Sequence, residues 1–444
     1  MRAEIAIWAG IMIVAALFTA MMSLDALTWG VALFGLVGLV AAHRIARWAA
    51  SAEDRNWLPA TVTFAYLAHL VGAWIRHYFV TVVYQSGDSL AYHRVALDMV
   101  TAWRDFEVPV APVGSAGTRF VETVTSLFYI PSEPSMLVGF FIFSSLGFLG
   151  SVFLYLAFRL AVPTAHLRRY AVLIFFLPSM LFWPGSIGKE ALMLFGIGTA
   201  SYGVARLFAG SRIKGLATVT LGVAAMAAVR PHVAVMLVAA LVLALVFSSR
   251  IGVRSGTRLV VVLITVAGLW WLSGLAMTRL GLEAGEAGLD EFLLEQEQHT
   301  QQGGSAVVGA PVRNPVDIPE ATLRVLFRPL PYEVHNEQAM LSALESIALL
   351  ALILWRSPTI WRHRSMLRSS PYLLFSLAFV AQFVVAFSSI LNLGILARQR
   401  VQVLPFLLAL VVAMGWGLRT RPPTMGLPAH QGSPRRSTHT MAEG

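Results

Sequence analysis

Apolar residues in this chain come in long uninterrupted blocks, unlike the short alternating runs that build strands. The segments 136–158 and 372–390 carry no charge, and each has roughly the 20 residues a helix needs to cross hydrocarbon. Twelve blocks of this kind occur, at 5–22, 27–43, 58–83, 134–158, 170–184, 188–207, 215–229, 231–249, 258–277, 338–355, 371–390 and 400–418. Lipid offers the backbone no hydrogen-bond partners, so only helices or a closed barrel satisfy it, and the alternation of a barrel is missing. The pattern therefore predicts an all-α polytopic membrane protein with about 12 transmembrane helices filling 1–418. The first block has one arginine before it and no small-x-small cleavage site, and another block follows at once, so it reads as a retained helix and not a leader.

Charge sets the orientation. The breaks between blocks alternate, and one set holds Arg44, Arg47, Arg55; Arg159, Arg168, Arg169; Arg206, Arg212, Lys214; Arg250, Arg254, Arg258; and Arg356, Arg362, Arg364, Arg368. Short basic loops stay in the cytoplasm, so this side and both termini are inside. Most acids fall on the other side, with two long polar insertions, about 85–133 and 278–337. The stretch 419–444 is rich in Pro, Ser, Thr, Gly and Arg; it reads as a disordered basic cytoplasmic tail. A net charge of +10 would suggest nucleic acid in a soluble protein. Here the arginines sit in membrane-flanking loops, so no nucleic acid is expected and the implied partner is membrane lipid. The chain has no cysteine, which excludes disulfides, thiolate metal sites and cysteine nucleophiles.

Candidate chemistry collects on the outer side. The segment 84–93 reads Tyr-Gln-Ser-Gly-Asp-Ser-Leu-Ala-Tyr-His, and residues 90–104 follow as an interfacial helix. Asp88, at the membrane exit of the third block, is a candidate general base; the plainer alternative is a turn aspartate capping that helix with help from Ser89. His93 lies near it, and His93 with Asp98 matches the H-x4-D spacing of one acyltransferase class. On a regular helix those two residues point well apart. The segment 182–190, Phe-Trp-Pro-Gly-Ser-Ile-Gly-Lys-Glu, joins two blocks through a very short turn. Lys189 and Glu190 open a helix whose free N–H groups favour anions, or they form an interfacial turn pair. Gly196, Ala200 and Gly203 below them form a stripe suited to helix packing.

Arg230 and His232 flank Pro231 at another near-loopless break. Arg398 and Arg400 enter the last block from the outer end, where positive charge is disfavoured; they either bind an anion, for which the guanidinium fork suits phosphate oxygens, or snorkel to lipid headgroups. Arg76 and His77 near the outer end of the third block, and Arg328, Glu333 and His335 before the tenth, extend the same group. Residues 289–302 read as a solvated acidic lid. An Asp–Glu pair has ligands enough for one divalent cation, but no metal motif or cofactor motif is present.

The outer carboxylate, the interfacial helix after it and the arginines entering late spans resemble the GT-C superfamily of membrane glycosyltransferases. The Trp-Pro-Gly-Ser-Ile-Gly-Lys-Glu and Arg-Gln-Arg segments are similar to bacterial polysaccharide repeat-unit polymerases. In GT-C enzymes the catalytic aspartate follows the first span, whereas Asp88 follows the third, so an added amino-terminal hairpin is implied. The resemblance implies a bacterial inner-membrane enzyme of cell-envelope or exopolysaccharide synthesis, using a polyprenyl-(di)phosphate-linked sugar at the outer face. Asp88 would be the base, Glu190 the reserve, and Lys189, Arg230, Arg398 and Arg400 would neutralise the departing phosphate. The classes that compete with it are a transporter or flippase of lipid-linked glycan and a non-catalytic envelope scaffold. The sequence specifies no oligomeric state.

Overall fold

The computed structural model describes residues 29–51, 54–109, 114–131, 134–247, 312, 314–334 and 336–417. The blocks at 5–22 and 258–277, the acidic stretch 289–302, His335 and the tail lie outside the described residues. All regular structure among the described residues is helical, with no strand. Five helices are long and apolar enough to cross a membrane, or six when one bent pair is taken as a single span.

Helix α1 covers Trp29–Ala49, and α2 covers Leu58–Tyr78 and continues through a π-helical turn, Phe79–Val83. Two helices follow in the first long insertion, α3 (Asp88–Arg104) and α4 (Ala116–Tyr129). The helix expected at 90–104 is present as α3; α4, which Ser115 caps by accepting the Thr118 N–H, has no counterpart in the sequence reading. Then come α5 (Met136–Ala161), α6 (Leu167–Phe176), the single turn α7 (Pro178–Phe182), α8 (Lys189–Phe208), α9 (Arg212–Val229) and α10 (Pro231–Phe247). The last part holds α11 (Ile318–Phe327), α12 (Glu337–Arg362), the short α13 (Met366–Ser369), α14 (Pro371–Phe387), α15 (Leu393–Gln399) and α16 (Leu404–Gly415).

Two expected spans are broken. The block 170–184 is not one helix. Leu177 is extended at φ −63°, ψ 130°, because a residue before proline is pushed out of the α region and Pro178 has no N–H to carry the ladder on. The freed Ser179 N–H donates to Glu345 Oε2 at 2.6 Å, so a carboxylate from the middle of α12 closes the break. The block 400–418 begins earlier, at Leu393, and α15 and α16 meet at 60° across the turn 400–403, with Pro405 just inside α16.

The glycine stripe packs as expected. A Cβ on Gly196 would come within 3.0 Å of Gly222 O, and one on Gly203 within 2.9 Å of Gly215 O, so α8 and α9 touch backbone to backbone. The outward surfaces of α2, α9 and α12 are apolar, with Phe64, Leu221, Leu344 and Leu354 half or more exposed. Exposed apolar faces on long helices mark contact with lipid or another apolar phase. At one end of the bundle, basic residues and indoles interleave. Arg159 reaches Ala49 O at 2.7 Å and Asp54 at 3.3 Å, Arg168 lies over Trp57, and Arg169 and Arg356 lie over Trp416. These residues come from loops that the charge pattern assigns to one side, and the mixture is that of an interfacial aromatic belt.

Candidate functional site

At the opposite end, the ends of α2 and α15 and the starts of α3, α8 and α10 converge. Gly87 precedes α3 at φ 130°, a conformation glycine alone adopts without strain. It delivers Asp88 as the first helical residue with no side-chain cap of its own. The aspartate instead accepts from Arg398 Nη1 at 3.1 Å, and Ser89 donates to Ile187 O at 2.8 Å, tying α3 to the turn before α8. The capping alternative for Asp88 and Ser89 is therefore not the arrangement found.

Arg398 is shared. Its Nε lies 3.1 Å from Glu190 Oε1, and Arg230 Nη2 donates to that oxygen at 2.9 Å. Glu190 and Arg230 are buried, while the Asp88 side chain is 58% exposed and that of Arg398 30%. The inner pair is thus fixed and the outer pair faces solvent. Arg76 lies over the rings of Phe182 and Trp183 at 4.9 and 5.0 Å, and Lys189 Nζ donates to Thr118 Oγ1 of α4 at 3.1 Å. Arg76, Asp88, Tyr92, Lys189, Glu190 and Arg398 line a cleft of about 130 Å³. With Arg230 behind, four cations face Asp88 and Glu190, and Glu122 of α4 lies near Lys189, so the cleft keeps a net positive charge. A diffuse anion with several oxygens fits such a cleft.

Burial pushes the Tyr92 hydroxyl up to about 12, with Asp88 adding to the shift, so at physiological pH it is a neutral donor on the cleft wall. Glu122 lies one turn beyond Thr118 on α4 and is buried, with Oε2 unpartnered. Burial raises its carboxyl, and the Lys189 charge partly restores it. Tyr92, Thr118 and Glu122 were not among the candidate site residues of the sequence reading. The four-residue spacing of Thr118 and Glu122 on one face of a capped helix was the available signal.

A pH effect follows. The folded chain holds the Glu122 proton more tightly than the unfolded chain, so this group's stabilising contribution is full below its ordinary value of 4.5 and is lost as pH rises through the raised folded value. Glu122→Gln is expected to raise stability at neutral pH and flatten the profile. Thermal melts in detergent from about pH 4 to 8 check this, and an unchanged profile would contradict it.

Other candidates do not join the cleft. His93 Nδ1 pairs with the Tyr129 hydroxyl at 2.8 Å, and burial beside Arg94 keeps its imidazole below the ordinary range. Asp98 is exposed, so the His93–Asp98 acyltransferase pairing does not form. His232 packs beside the Phe387 ring at 6.4 Å. Arg328 is tied to Glu333. Arg400, expected beside Arg398, is 1% exposed and points elsewhere, donating through Nη1 to Ser346 Oγ at 2.7 Å and Leu326 O at 2.9 Å. The reason is angular: residues two apart on a helix face nearly opposite ways, so the two arginines cannot grip one anion. The Asp88–Glu190 pair that could have held a cation holds the Arg398 guanidinium instead. Among the described residues no group of three or more potential ligands gathers for a metal. No protein-family model, curated protein or solved structure matches this chain.

Proposed function

We propose that the protein is a membrane glycosyltransferase or glycan polymerase, GT-C-like, with about twelve spans and both termini in the cytoplasm. It takes a polyprenyl-(di)phosphate-linked sugar at the outer face of a bacterial inner membrane. The observation that carries the reading is Arg398 joining the solvent-facing Asp88 to the buried Glu190 in a cleft whose cations outnumber its carboxylates. The donor phosphate competes with Asp88 for Arg398, and its arrival releases the Asp88 carboxylate. Asp88 then takes the proton of an acceptor hydroxyl as that oxygen bonds to the sugar's anomeric carbon. The bond from that carbon to the phosphate oxygen breaks, and its electron pair leaves on a phosphate held by Arg76, Lys189 and Arg398, with the Arg230 charge behind them. Glu190, already held by two arginines, serves as their anchor and not as the base.

Titration with inorganic pyrophosphate tests the cleft. Wild type is expected to bind it; Arg398→Lys should weaken binding nearly as much as Arg398→Ala, because the charge remains and the planar fork does not. Full binding by the Lys variant would show that the fork is not used. Orientation has its own test in a chain without cysteine. A cysteine at Ser115 should react with an impermeant thiol reagent in intact cells and one at Ser365 should not, with the reverse pattern overturning the outer-face assignment.

One observation favours a second reading, a carrier of lipid-linked glycan. Glu345 and Arg400 are both buried; Glu345 packs against the break at Pro178 and Arg400 sits in the turn between α15 and α16, an arrangement of charges and broken helices that transporters use.

A further inference from the structure

At the end of the bundle away from the cleft, two arginines share one indole. Trp416 closes α16, and α16 packs against both α6 and α12. Arg169 of α6 lies over the Trp416 ring at 4.7 Å and Arg356 of α12 at 4.4 Å. Arg356 also lies over the ring of its neighbour Trp355, at 4.0 Å. Gly415 lets it in so close, since a Cβ there would meet the Arg356 Cβ at 3.3 Å. Beside Arg169, Arg168 lies over Trp57 at 5.4 Å.

Attraction to ring faces does not balance these charges. Two guanidiniums against one ring repel each other, and Arg168 and Arg169 stand in the first turn of α6, where the helix dipole disfavours cations. The segments that carry them bring no acid of their own: none occurs between Glu133 and Glu190, or between Glu345 and Glu443. Asp54, on the loop before α2, is engaged by Arg159 and by Ser51 Oγ. A guanidinium over an indole keeps its in-plane N–H groups for an anion, and their fork matches phosphate oxygens.

The surroundings of the pair select the source of that phosphate. Leu354, Trp355 and Trp361 are 63–68% exposed on a helix long and apolar enough to cross a membrane. The arginines therefore stand at the rim of a surface that faces lipid. The residues after Gly417, Leu-Arg-Thr-Arg, are themselves basic and make a poor partner for the pair. We propose that Arg169 and Arg356, held over Trp416, bind the phosphate of an anionic phospholipid, with Arg168 adding its charge and the exposed Trp355 ring lying against the glycerol. A zwitterionic headgroup brings its own ammonium to the phosphate and fits less well. This site is independent of the reading of the cleft.

Native mass spectrometry of the full chain in dodecyl maltoside tests this, with dioleoyl-phosphatidylglycerol, dioleoyl-phosphatidylcholine and sn-glycerol 3-phosphate as probes. One phosphatidylglycerol is expected to bind about tenfold more tightly than phosphatidylcholine. Arg169→Gln and Arg356→Gln should each weaken it about fivefold, the loss expected for one arginine at a lipid surface. Arg364→Gln removes a charge from the same end of α12 but from over Trp361, and should change binding by less than about twofold. Phosphatidylcholine binding by the three variants should stay at the wild-type level, the mark of an intact fold. Equal affinity for the two lipids, or equal losses in all three variants, would overturn the inference by leaving only diffuse attraction. Displacement of the lipid by an equimolar amount of sn-glycerol 3-phosphate would overturn it too, by showing a site for soluble phosphate.

Discussion

Replacing Asp88 with asparagine is expected to lower glycosyl transfer by about 10²–10⁴-fold, the range of general-base assistance, while donor binding is kept or modestly strengthened. Asparagine preserves size and leaves α3 intact, since Asp88 caps nothing. It no longer competes as an anion for Arg398. Because the Asp88–Arg398 contact is solvent-facing, and exposed ion pairs contribute little, the gain in donor affinity should stay within a few-fold. The measurement is product formation beside donor binding on one preparation. Normal product from Asp88→Asn would remove the base assignment. Loss of both product and donor binding would show that Asp88 holds the site together instead of taking a proton.

Disturbing the buried charges at the two breaks should have the largest effect on stability. Glu345 and Arg400 lie within electrostatic reach of each other and both are almost fully buried. Arg400 Nε and Nη2, Glu345 Oε1 and Gln402 Oε1 have no hydrogen-bond partner, two donors and two acceptors in one neighbourhood. Glu345→Leu alone strands a guanidinium that cannot shed its proton and should cost about 3–5 kcal/mol. Adding Arg400→Met should recover most of that loss. A residue of about 1–3 kcal/mol should remain, from the Ser179 N–H left without its acceptor. Unfolding in mixed micelles gives all four corners of the cycle. Additive losses would show that the two charges are independent.

The same residues show how far the sequence could be read. Asp88, Glu190, Arg230 and Arg398 are far apart in the chain, yet each stands at the end of an apolar block that the charge pattern assigns to one side, and a bundle must bring such ends together. Charge position therefore carried the cluster. Arg400 misled because its charge was read without its angle on the helix. The block 170–184 misled because hydropathy averages over Pro178, whose effect is on the backbone of Leu177. The small residues of α8 gave their packing role directly, since glycine spaced along one helix face has few other uses. Glu122 stayed hidden because its importance comes from α4 folding over Lys189, whereas Tyr92 lies four residues after Asp88 on α3 and could have been read from that spacing.

The most direct test is reconstitution of the full chain in liposomes with a polyprenyl-phosphate sugar and an oligosaccharide acceptor, followed for both bond formation and movement of donor between leaflets. The account predicts glycosylated acceptor in the compartment facing Ser115, abolished by Asp88→Asn, with no faster exchange of donor between leaflets. Donor exchange that is accelerated by the protein and unchanged in Asp88→Asn, without any new glycosidic bond, would contradict it.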